Sequence, residues 1–176
     1  MNYFEFYQLP LSCHPDQDLV KKNYYANSKK YHPDRFMQAD AKTKIEALQQ
    51  SALNNEAYTT FQDPMLTIAH LLRIKGILLP DEKYQLPSDF LMEVMDLNEQ
   101  LSEWEEQGKD VQKGLSLQQT VHDFMQQLQN DIAPTMQFID DLQEKEQLFL
   151  KLKEFYFKHK YLLRIKERMS IFASHD

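Results

Sequence analysis

Glycine is nearly missing from this chain: three residues in 176, at Gly76, Gly108 and Gly114. Tight hairpins and phosphate-cradling loops depend on a residue that reaches positive φ without strain, and so few of them leave little material for either. Helices need none in their interiors. Apolar side chains recur at helical spacing through most of the sequence, and an all-α fold is predicted. At 21.0 kDa the chain is long enough for one ordinary domain or two small ones, each with its own core.

Punctuation along the chain divides it. Asn2 to Gln8 predicts a short aromatic helix that stops before Pro10. Asp16 is placed to cap a helix running to about Tyr31, because its carboxylate can accept from the free amides of the first turn. Pro33 ends that helix and pushes His32 out of it, since the residue before a proline is disfavoured in the helical region. Ala41 to Phe61 reads as the next helix, with Ile45, Leu48, Ala52 and Tyr58 as its apolar side. Pro64 restarts the chain as a short helix, Met65 to Ile74, expected to pack through Leu66, Leu71 and Leu72. Gly76 to Leu86, with Gly76 as helix stop and Pro80 as breaker, reads as a linker between a domain at 1–75 and another at 87–176. The second domain predicts three helices. The first opens at Pro87 or Ser88 and closes at Gly108. The second begins near Leu115, runs through Val121, Phe124 and Leu128, and kinks or breaks at Pro134. The third spans about Gln143 to Phe172 and carries Leu148, Leu152, Phe155, His159, Leu162 and Met169. Three antiparallel helices would bury these stripes against one another.

The composition narrows the function. The opening MNYFEFYQLP lacks a basic lead and a continuous apolar core, and apolar runs elsewhere are only a few residues long, so neither a signal peptide nor a membrane span is expected and the cytoplasm is the expected compartment. The single cysteine, Cys13, cannot form an internal disulfide or a thiolate cluster site, and His14, His70, His122, His159 and His175 are dispersed. No bound metal or other cofactor is expected. No glycine-rich phosphate loop, nucleophile elbow or paired-histidine metal spacing is present, so no catalytic residue is assigned and the chain is read as no enzyme. The net charge of -7 is uneven: Met1 to Lys75 holds nine basic against eight acidic residues, Gly76 to Asp110 two against ten, and Val111 to Asp176 nine against nine. An acidic middle stretch opposes nucleic-acid binding and favours a basic protein surface as partner.

Within the first half, the segment VKKNYYANSKKYHPDRF concentrates chemistry. Around the helix that ends at Tyr31, Val20, Tyr24 and Tyr31 share one side while Lys22 and Lys29 lie opposite, with Lys30 adjacent and Lys21 at the flank. That basic face leads into the stiff turn His32-Pro33-Asp34, and the next helix contains NEAYTTF. This combination resembles the J-domain of the DnaJ family, over roughly Asn2 to Gln62. The resemblance implies a helical hairpin presenting His32, Pro33 and Asp34 to an ATPase chaperone of the DnaK/HscA type, with Lys21, Lys22, Lys29 and Lys30 supplying charge complementarity. In such a contact proline holds the loop, aspartate offers an acceptor and histidine a donor, and the ATP chemistry stays in the partner.

In SDFLMEVMDLNEQLSEWEEQ, Phe90, Val94, Leu97, Leu101 and Trp104 make one continuous stripe that must be the core face. Opposite it lie Met92, Met95, Asp96, Glu99, Glu103 and Glu106, with Leu91 at the edge. A methionine pair beside a row of carboxylates suits an interface, adaptable apolar anchors with a charged surround; the bland reading is a second buried face, covered by another helix. A J-domain, a linker and a helical module beginning FLME together resemble the HscB family, the co-chaperones of iron-sulfur cluster assembly. That resemblance implies that Leu91, Met92, Met95, Asp96, Glu99 and Glu103 bind an IscU-type scaffold protein. Tyr156 is the matching last-helix aromatic, and Phe155 and Phe157 are its alternates. Thr67, Ile68 and His70 stand where the family usually carries an Arg-Ala pair and a tyrosine. Two other readings are a J-domain protein serving a different client and a helical oligomerisation protein.

Overall fold

The computed structural model describes residues 1–108, 110–141 and 145–173. The elements in chain order are α1 (Tyr3–Phe6), α2 (Gln17–Lys30), a 3₁₀ turn (Pro33–Phe36), α3 (Ala41–Gln62), α4 (Pro64–Ile74), α5 (Ser88–Glu106), α6 (Val111–Asp140) and α7 (Glu146–Ala173). Among the described residues all regular structure is helical, as expected from the glycine count. The chain forms two compact units, Met1–Ile77 with Ile139–Glu144, and Leu78–Phe138 with Lys145–Asp176.

In the first unit, α2 and α3 pack as a hairpin. Asp16 caps α2 by accepting from the amides of Asp18 and Leu19, at 2.9 and 3.1 Å. Val20 of α2 is fully buried, and Tyr24 stacks on Tyr58 of α3 with ring centroids 4.1 Å apart. The hairpin and α1 are tied through Asn54, a buried polar side chain. Its amide donates to the Tyr24 carbonyl at 3.1 Å and to Ser28 Oγ at 3.0 Å, and its side-chain oxygen accepts from the Tyr7 hydroxyl at 2.9 Å. Burying an amide is tolerable only when its polar atoms are bonded in this way.

The apolar side expected for α3 is overturned. Ile45, Leu48 and Ala52 are exposed, and the core face is Ala47, Leu53, Asn54, Ala57 and Phe61, with Tyr58 half-buried. Apolar residues occur all round this helix, so periodicity alone selects no single stripe. The buried face instead includes the small Ala47 and Ala57. In α4, Leu71 and Leu72 are buried as expected but Leu66 is exposed; Thr67, Ile68, Ala69 and His70 complete the buried face.

In the second unit, Phe90, Val94, Leu97, Leu101 and Trp104 of α5 form one core with Leu117 and Val121 of α6 and Leu162, Ile165 and Met169 of α7. Each such burial is worth roughly 1.5–3 kcal/mol relative to exposure. Residues read as a linker also pack here: Leu78 is buried, Glu82 pairs with Lys153, and Tyr84 stacks flat on Phe157 at 4.6 Å. Two expectations for α6 are corrected. It starts at Val111 rather than near Leu115, because the Asp110 carboxylate caps its first turn by accepting from Lys113 N at 2.8 Å. Of the kink or break expected at Pro134, the break does not occur: the helix continues to Asp140. Burial of Ile132, Thr135, Met136 and Ile139 around the proline holds the helix together where the backbone lacks a hydrogen bond. The expected α7 start at Gln143 lies outside the described residues; α7 begins at Glu146, and Phe149 is buried more deeply than Leu148.

Candidate functional site

Two surfaces carry the chemistry singled out in the sequence, one in each unit. The first is the corner between α2 and α3. Tyr31 closes α2, donating its amide to the Asn27 carbonyl at 2.8 Å, and His32 then adopts extended backbone angles, φ -60° and ψ 130°. Pro33 opens the 3₁₀ turn at the position where its missing amide proton costs nothing. His32 caps the start of the turn twice over: its carbonyl accepts from Arg35 N at 3.0 Å and its Nδ1 accepts from Asp34 N at 3.3 Å. With Nδ1 used as an acceptor, the neutral ring carries its proton on Nε2, where it can serve as a donor. The His32 and Asp34 side chains are 56% and 77% exposed. The corner is therefore shaped from within by its own backbone while both ionisable side chains face solvent.

Lys21, Lys22, Lys29 and Lys30 are all exposed on α2. Lys30 Nζ lies 4.9 Å from the Tyr31 ring centroid. Two features near the corner were not assigned from sequence. Arg35 is exposed and reaches back to the Lys29 carbonyl at 3.5 Å, a fifth cation whose place directly after Asp34 was the available signal. An open hollow of ≈ 440 Å³ is lined by Tyr31, Pro33, Phe36, Met37 and Leu48 among others. Leu48, expected in the α3 core, thus stands at the surface beside the corner at 68% exposure.

The second surface lies on α5. Met92 and Met95 are 64% and 68% exposed, Leu91 is at 37%, and Asp96, Glu99 and Glu103 are exposed with them. The reading in which another helix covers this face is excluded by those exposures. Met92, Asp96, Glu99 and Glu103 follow one another at i, i+4, i+7 and i+11, so the core stripe opposite turns this row outward. Glu103 is also bonded inside the chain, to Lys113 Nζ at 3.3 Å. Glu105, off this row, is held by Arg168, which also reaches Ser102. Sequence reading missed both cations because they come from α6 and α7.

Tyr156 stands on α7, half-buried, with its ring edge-on to Phe157 at 5.3 Å and Lys160 Nζ 6.0 Å from its centroid. Of its alternates, Phe155 is buried in the core and Phe157 is committed to Tyr84. Cys13 is buried, and burial, with Asp140 beside it, pushes its thiol well above the usual range, so it is a poor nucleophile. Among the described residues no three His, Cys, Asp or Glu side chains gather as a metal site, and no helix is long and apolar enough to cross a membrane.

Comparison with known proteins bears on both units. Residues 86–170 match a family described as the HSCB C-terminal oligomerisation domain. Co-chaperone protein HscB homologs of two Vibrio cholerae serotype O1 strains are each 39% identical over 102 residues, 57% of this chain and 60% of theirs. The matched segment therefore spans less than two thirds of these relatives. Among solved structures, human co-chaperone protein HscB aligns with 99% of this chain and 83% of its own at a TM-score of 0.78, and at 23% identity it speaks for the fold. Chaperone HscB from Vibrio cholerae aligns with 96% of this chain and 99% of its own at a TM-score of 0.63 and 27% identity.

Proposed function

We propose that the chain belongs to the HscB co-chaperone family, the reading supported by the match at residues 86–170 and by its similarity to the Vibrio cholerae proteins, and that it brings an IscU-type iron-sulfur scaffold to an HscA/DnaK-type ATPase chaperone and stimulates ATP hydrolysis there. It works in the cytoplasm, needs no cofactor of its own and catalyses no reaction. The observation that carries this reading is a pair of uncovered surfaces of opposite charge: a cationic corner in one unit and an acidic, methionine-bearing helix face in the other.

At the corner, His32, Pro33 and Asp34 dock on the chaperone. The internal capping of the turn means that little conformational entropy is lost on docking. Lys21, Lys22, Lys29 and Lys30 steer the encounter with an acidic surface, and the hollow beside Pro33 offers apolar contact. A contact of this kind accelerates hydrolysis only by favouring one conformation of the chaperone. On α5, Leu91, Met92 and Met95 anchor the scaffold while Asp96, Glu99 and Glu103 complement a basic patch on it, and Tyr156 of α7 contributes to the same partner.

The test is ATP turnover by the purified chaperone with and without this protein and scaffold. His32→Gln should abolish stimulation while leaving helicity and scaffold affinity at the parent level; stimulation by the variant equal to the parent's would remove the corner's role. Met92→Ser with Met95→Ser should weaken scaffold binding at least tenfold, about 1.4 kcal/mol. Unchanged affinity, with stimulation retained, would instead support a J-domain co-chaperone for a different client.

A further inference from the structure

The row of carboxylates on α5 is not equally available along its length. Asp96 and Glu99 are exposed. Glu103 is bonded to Lys113 Nζ at 3.3 Å, with 51% of its side chain exposed. The position of Lys113 is set by a built corner. The Trp104 indole N–H donates to the Asp110 carbonyl at 2.7 Å, and that same carbonyl accepts from Gly114 N at 2.9 Å. The Asp110 carboxylate then caps α6 through Lys113 N at 2.8 Å. Gly114 is where the helix meets the indole: a Cβ there would stand 3.0 Å from Trp104 Cζ2, tighter than most real Cβ contacts. Trp104 belongs to the core. The first turn of α6 is therefore pinned to the end of α5, and Lys113 projects from that pinned turn onto Glu103.

From this arrangement we infer that Lys113 is an internal cation that competes with the scaffold's basic side chains for Glu103 and so limits how tightly, and through which carboxylates, the α5 face takes its partner. The inference rests on the scaffold reading of that face. A partner cation that engages Glu103 must displace an ammonium already held there, whereas among the described residues no cation is bonded to Asp96 or Glu99. The face therefore reads charge mainly at its Asp96–Glu99 part, and Glu103 is used only by partners that outcompete Lys113. Removing the lysine's charge should strengthen binding, the reverse of what removal of an interface contact does. Both groups are solvent-accessible, so the effect is modest and fades with added salt.

A double-mutant cycle on the full chain tests this, by calorimetric titration with a purified IscU-type scaffold at low and near-physiological salt. Lys113→Met keeps the aliphatic stem and helix propensity. It should tighten the complex about two- to fivefold at low salt, with most of the gain lost at high salt. In a Glu103→Gln background the same change should have little effect, and Lys113→Arg should behave as the parent. Equal tightening in both backgrounds would reduce Lys113 to a nearby like charge, and no tightening in either would remove its role; both results overturn the proposal. Met92→Ser with Met95→Ser, measured alongside, separates the two levels. If that pair leaves affinity unchanged the scaffold reading itself fails, whereas weakened binding there with a flat response at Lys113 sinks only the competition. Thermal unfolding of each variant confirms that the α5–α6 corner is retained, and Lys113→Gln replaces the methionine variant should it melt early.

Discussion

At His70 the folded chain holds an imidazole in the uncharged state. Its Nε2 accepts the Tyr3 amide at 3.0 Å, its ring stacks on Tyr3 with centroids 4.1 Å apart, and burial, with Arg73 as a lesser cause, pushes its pKa down to about 4. An unfolded histidine titrates near ~6.5. Between those values the unfolded chain binds a proton that the folded chain refuses, so stability is full above about pH 6.5 and falls as the pH drops toward 4, by at most about 1.4 kcal/mol per pH unit. Urea unfolding of the parent from pH 7 to 4.5 should show this loss on top of the carboxylate contribution, and His70→Gln, which can still accept from Tyr3 N, should flatten it. Identical slopes would assign the pH dependence elsewhere. In the sequence His70 was legible only as a departure from the pattern of the family that the chain resembles. Its role needs Tyr3, 67 residues earlier in the chain. The corner was legible because His32, Pro33 and Asp34 act on their own local backbone, whereas the Glu103–Lys113 bond joins two helices and left no trace in the spacing of either.

Among the elements, α6 is where local rules and packing conflict. Pro134 lies inside a continuous helix, on its exposed side, where it removes one backbone hydrogen bond and crowds the preceding turn. Local preference argues for a break; the buried Ile132, Thr135, Met136 and Ile139 prevail. Pro134→Ala should therefore raise the unfolding free energy, by about 1–3 kcal/mol out of the roughly 3 kcal/mol that an interior proline costs. A lower Tm for that variant would mean that the proline shapes the α6 packing rather than straining it. For α3 the conflict lies between pattern and partner. Its aliphatics Ile45 and Leu48 face outward, while the small Ala47 and Ala57 and the polar Asn54 face the core, where Asn54 finds bonds to Tyr24, Ser28 and Tyr7. For α5 there was no conflict: one apolar stripe and one charged face gave both its buried and its exposed residues from spacing alone.

For the molecule as a whole, the two uncovered surfaces sit in different compact units of one chain, and the proposed activity requires both. Covalent linkage turns the second of two modest contacts into a local one, so each gains from the other without any new contact. A mixture of His32→Gln protein with Met92→Ser/Met95→Ser protein should consequently fail to restore scaffold-dependent ATPase stimulation, although each variant keeps one working surface. Full restoration by the mixture would show that linkage is dispensable. The amino-acid sequence by itself determined the helical class, the cap at Asp16, the stiffness of the His32-Pro33-Asp34 turn, and the division of α5 into a core stripe and a carboxylate row, because each depends on residues within a few positions of one another. Only the tertiary structure decided which side of α3 is buried, that α6 continues through Pro134, that His70 is kept neutral and that Lys113 rests on Glu103. Each of those outcomes is a balance between a local preference and a neighbour supplied from a distant part of the chain, and only folding brings that neighbour into range.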